Sequence, residues 1–200
     1  MGVKLVSASA GSVEIVAPTT ASNYTATLPA GTGTMVVNGV NGSLVSGTAV
    51  ASTSGTSIDF TSIPSWVKRV TIMFNSVSTS GTSQKVIRIG TGSTPDTTGY
   101  TSVQTDLNAS AVATVSASGY FQLQSSAAAA RAESGTMVLN LLNASTNIWT
   151  FNSGLAQDTF TNNFISFGSK TLSGSLGIVR VTTAGGTDTF DLGSINILYE

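Results

Sequence analysis

Between Arg69 and Asn75 the chain alternates residue by residue, with Val70, Ile72 and Phe74 interleaved with Arg69, Thr71 and Asn75. Successive side chains of a strand point to opposite faces, so a period of two predicts a half-buried β-strand. That strand is expected from Trp66 to Val77, with Trp66 on its apolar face. Similar short runs follow at Gln84–Ile89, Ala111–Ser116, Thr136–Leu142, Ile148–Phe151, Asn163–Phe167, Leu172–Thr182 and Ser194–Tyr199. Between them lie stretches such as Ser78–Ser83 and Thr91–Gly99, supplying the Gly, Ser and Pro residues that turns need. The first of these predicts a hairpin joining the long strand to 84–89. Eight or more strands with polar turns imply an all-β chain folded as an antiparallel two-sheet β-sandwich. The helical candidate is the alanine-rich Ser126–Glu133, too short to stand alone. It reads as one or two turns of helix or as an exposed loop.

The first fifty residues have a different texture. Val13 and Ile15 alternate with Ser12 and Glu14, Asn23–Pro29 repeats the pattern with smaller residues, and Thr34–Val37 is a third extended run. Pro18 and Pro29 each close a strand, because proline cannot donate to a ladder. A Gly-, Ser- and Asn-rich linker runs from Asn38 to about Gly47. The expected organisation is therefore an N-terminal β segment with linker over 1–47, serving attachment or trimerisation, and a sandwich domain over 48–200. Three short strands cannot enclose a core, so they must pack on the second domain or intertwine with neighbouring copies.

Composition narrows the functional classes. Charged residues make up 8% of the chain against about 25% in ordinary soluble domains. Eight basic and nine acidic residues nearly cancel, leaving no field to steer nucleic acid or an anionic membrane. With 40% hydrophobic residues the chain is expected to fold, and with so little charge repulsion it is expected to associate. No apolar stretch approaches the ~20 residues of a membrane span, and Met1–Val6 lacks the apolar run of a secretory signal. Without cysteine there is no disulfide framework. Without histidine the commonest general base and the usual zinc ligand are both missing.

Little catalytic chemistry is on offer, and no enzyme, cofactor or metal site is expected. Asp188 and Asp191 sit three apart near a turn but lack the dense acid–glycine pattern of a calcium loop. They read as solvated turn residues. Asp59 reads as a turn cap, and Lys68 and Arg69, being adjacent, point to opposite faces and make a poor phosphate clamp. Gly90-Thr91-Gly92 and Gly185-Gly186 open no helix and precede no P-loop lysine.

Two groups of residues remain as candidate sites. Tyr100, at the end of the long polar loop, fits either a glycan contact through its aromatic face or ordinary core packing. Trp66 and Trp149 read as core. Met73, Val86, Val138, Leu142 and Leu198 lie opposite the faces assigned to the core, where a solvated antiparallel sheet should be polar. Either loops or misjudged registers account for them, or they form a subunit interface.

Two stretches carry a family resemblance. Gly11-Ser12-Val13-Glu14-Ile15-Val16-Ala17-Pro18, running through Tyr24–Pro29 to Gly31-Thr32-Gly33-Thr34-Met35, resembles a short segment recurrent in phage virion fibre proteins. Ile58–Phe74, continuing to Ile87–Gly90 and closing with Phe190–Glu200, resembles the distal β-sandwich domain of tailed-phage tail fibres and related virion surface proteins. With the strand count, the resemblance implies a jelly-roll type of sandwich. It also implies a non-enzymatic, homotrimeric part on the phage particle surface, among other virion proteins and in contact with the host. No ligand or catalytic residue carries over. The chain starts almost directly with the short β segment, which suits a fibre tip, a head fibre or a capsid decoration protein. The alternative is a carbohydrate-binding adsorption module, and a tailspike-type depolymerase is disfavoured by the scattered acids.

Overall fold

The computed structural model describes residues 44–107, 114–124, 128–129, 131–158 and 162–200, and the backbone of 3–6, 12–15 and 112–113. The chain divides into two compact units, Met1–Met35 and Val36–Glu200. In the first, β1 (Val3–Val6) and β2 (Ser12–Ile15) pair antiparallel, with Val3 opposite Ile15. The extended runs expected at 23–29 and 34–37, with Pro18 and Pro29, lie outside the described residues.

The second unit contains β3 (Val45–Ser46), β4 (Val50–Ala51), β5 (Ser57–Thr61), β6 (Arg69–Thr79), β7 (Lys85–Thr91), β8 (Tyr100–Leu107) and β9 (Val112–Ala117). It continues with β10 (Phe121–Gln122), β11 (Glu133–Asn143), β12 (Ile148–Gln157), β13 (Asn163–Thr171), β14 (Leu176–Thr183) and β15 (Phe190–Tyr199). These strands form two antiparallel sheets. The larger has nine strands in the order β3-β15-β6-β11-β12-β13-β8-β9, with β4 also paired to β15. The smaller is β10-β7-β14-β5. The β-sandwich read from the alternation is present, and the described residues contain no helix. Within the alanine-rich stretch, Ala128–Ala129 and Arg131–Ala132 are loop and Glu133 already opens β11. Val45–Ser46, placed in the linker by its composition, pairs with Leu198 and Tyr199.

One expected pairing is corrected. The long strand and 84–89 do not form a hairpin. β6 lies between β15 and β11, while β7 lies between β14 and β10 in the other sheet. The segment 80–84 therefore crosses from sheet to sheet, and closeness in sequence misled because both strands pair with partners far along the chain. Trp66 falls in a turn before β6, half-buried against Tyr199 at 6.0 Å between ring centres.

The core lies where the inner faces meet. Val70, Ile72 and Phe74 of β6, with Met137, Leu139, Ile195 and Ile197, face Ile87, Ile89, Val179 and Val181 of the small sheet. Each such side chain contributes about 1.5–3 kcal/mol by leaving water. Phe121 in β10 stacks obliquely on Phe151 at 4.1 Å and meets the Tyr100 ring edge-on at 4.8 Å. A buried ion pair, Lys85 with Glu133, links the two sheets. The register of β15 on β6 slips at Leu192–Ser194, where Gly193 takes φ +94°. A Cβ there would stand 2.3 Å from the Ser76 carbonyl oxygen, so this bulge admits glycine alone without rearrangement.

Candidate interaction face

Tyr100 is not available to a sugar. It is 4% exposed, at the start of β8, with its hydroxyl drawn inward. The hydroxyl accepts from the Ile89 N–H at 2.9 Å and lies within donating distance of the Ile89 and Asp96 carbonyls, at 2.9 and 3.0 Å. The Lys170 ammonium stands 5.3 Å from the ring centre and pairs with Asp96 at 2.7 Å. Burial pushes the phenol pKa well above its ordinary value, as expected for a neutral structural hydroxyl. Of the two sequence readings, core packing is the one this geometry matches.

The five interface candidates separate. Val86 is wholly buried within its own chain and presents nothing to a partner. Leu142 is 67% exposed, at the irregular end of β11 where the register shifts. Met73, Val138 and Leu198 are brought together, half-buried, on the outer face of the large sheet. Leu198 sits opposite Thr71, and Thr71 opposite Val138. The same row continues through Asn152, Phe167 and Val103 to Ser116.

Phe167 and Val103 were missed in the sequence, and the reason is physical. In β8 the inward residues are Tyr100, Ser102, Gln104 and Asp106, all buried, while Val103 and Leu107 face out. β13 buries Phe164 and Ser166 and exposes Phe167, so apolar residues lie on both of its faces. Hydrophobicity alone therefore inverts β8 and leaves the facing of β13 undecided. Phe167 at 57% and Val103 at 41% exposure are directly opposite neighbours on the outer face.

The electrostatics of this face are equally particular. From Ser194 in β15 across to Ser116 in β9, its outward strand positions carry one charged residue, Arg69, which pairs with Glu200 at 2.5 Å. The rest are Thr, Ser, Asn, Gly, Ala and aliphatic or aromatic residues. Several charges elsewhere are tied into the fold. Asp59, read as a turn cap, instead takes Arg180 in a two-pronged bridge at 2.7 and 2.6 Å across β5 and β14. Asp188 accepts from the Ser83 N–H at 2.7 Å, and Asp191 accepts from the Ser78 hydroxyl.

Among the described residues no three Asp or Glu side chains gather as a metal site would need, and no helix is long and apolar enough to cross a membrane. A cavity of about 40 Å³ lies beside Pro64, Lys68, Asn147 and Trp149. It has room for about one water-sized group, against the ~300–1,000 Å³ of ligand pockets. No protein-family model, curated protein or solved structure matches the chain.

Proposed function

We propose that this chain is a structural protein of a tailed-bacteriophage particle surface, without catalytic activity. In this reading it is a fibre-type subunit, a tail-fibre tip or a head fibre or capsid decoration, working as a homotrimer exposed toward the host. The observation that carries the reading is the outer face of the nine-stranded sheet, broad, nearly free of charge and studded with apolar residues on a sandwich that already has a full core. Such a face suits burial against protein better than exposure to water. The resemblance of Gly11–Met35 and Ile58–Phe74 to virion fibre segments supplies the particle. The carbohydrate-adsorption alternative loses its best residue, since Tyr100 is sealed in the core. Gold-labelled antibody against the chain, imaged on intact virions, tests the proposal. Label on the particle surface is the expected result, and particles that never carry label would refute it.

A further inference from the structure

The outer face holds a projection and an open space side by side. Phe167 in β13 stands out beside Asn152 of β12, and two residues along β12 from Asn152 is Gly154. Gly154 carries no side chain, and a Cβ built on it would meet nothing within 4 Å, so the space above its backbone is open. It is flanked by Thr136 on β11 and Ile165 on β13, its cross-strand neighbours. Diagonal neighbours of this kind lie about 7–8 Å apart. The projection and the open space are thus close enough to belong to one contact, and both are carried by every copy.

We propose that a second copy of this chain covers this face, with Phe167 of one copy seated over Gly154 of the next. This names the contact for the self-associating subunit proposed above and rests on that reading. Three observations select a second copy over other occupants. The face has no charge pattern to recognise an acidic or basic partner, whereas two uncharged faces meet without stranding an ion. β8 and β13 expose Val103, Leu107 and Phe167 on the outer face, where a solvated antiparallel face would be polar. The area is also sufficient. Eight strands at ~4.8 Å spacing, with ladders of several residues at ~3.3 Å, span roughly 900 Å². A standard interface buries about 800 Å² per partner. Carrying both features, each copy gives one Phe167 and receives one, which a symmetric pair or a closed ring satisfies alike.

The test is the mass of the full chain in solution, by light scattering across micromolar concentrations, for the wild type and three variants. Phe167→Asp is expected to weaken association about 30-fold or more, as loss of a central aromatic does. Gly154→Leu adds a side chain whose Cβ meets nothing of its own chain, and is expected to weaken association while leaving circular dichroism and thermal unfolding of the subunit unchanged. Leu192→Asp changes an exposed leucine in β15, four strands from β13, and is expected to assemble as the wild type does. A wild-type oligomer that both Phe167→Asp and Gly154→Leu leave intact overturns the contact while sparing the structural reading. A monomeric wild type overturns both.

Discussion

Tyr100 and Glu133 show how much of this fold depends on single polar groups placed where water is absent. The Tyr100 hydroxyl ties β8 to the Ile89 backbone of β7, in the opposite sheet. Tyr100→Phe leaves the Ile89 N–H buried without an acceptor and is expected to cost about 1–3 kcal/mol, read by denaturant unfolding. Glu133 is 1% exposed, and burial pushes its carboxyl up to about 7 against the pull of the Lys85 ammonium. Asp158 pushes the same way as burial, and Arg131 pulls with Lys85. A folded pKa above the unfolded 4.5 means that the native chain holds the extra proton between those values. Stability is therefore expected to fall as pH rises from about 4.5 to 7, by at most about 3 kcal/mol, and then level off. Thermal unfolding across that range checks the slope, and Glu133→Gln is expected to flatten it.

At the scale of elements, the alternation made most strands legible. The runs at 84–89, 111–116, 136–142, 163–167 and 194–199 correspond to β7, β9, β11, β13 and β15, with ends shifted by a few residues. β8 was not legible, because Ser102, Gln104 and Asp106 occupy the core side and hydrophobicity points the wrong way. β5 and β10 are short, five and two residues. Pairing was the least legible feature, since nothing local tells β6 that its neighbours are β15, more than 110 residues on, and β11. The same limit applied to the interaction face. Met73, Val138 and Leu198 could be found as leftovers of a regular alternation, whereas Val103 was hidden by a strand whose inward positions are mostly polar and Phe167 by one with a phenylalanine on each face. Where the β15–β6 ladder slips, Gly193→Ala combines a left-handed backbone with a Cβ pressed on the Ser76 carbonyl. It is expected to cost about 2 kcal/mol or more, seen as a lowered unfolding midpoint with the same circular dichroism in the folded state.

For the whole molecule, a sandwich whose core is complete still presents a sheet face with Arg69 as its one charged strand position, and the proposal is that other copies cover it. Contacts made by apolar and neutral polar groups have little long-range electrostatic attraction for salt to screen, and excluded salts such as sulfate strengthen burial. A contact that depended on ion pairs would respond in the opposite direction. Sedimentation equilibrium of the full chain at micromolar concentration, in low and high sodium sulfate, separates these cases. The expected result is an oligomer at low salt that is as tight or tighter at high salt. A monomer under both conditions, or an oligomer that high salt takes apart, would contradict the proposal.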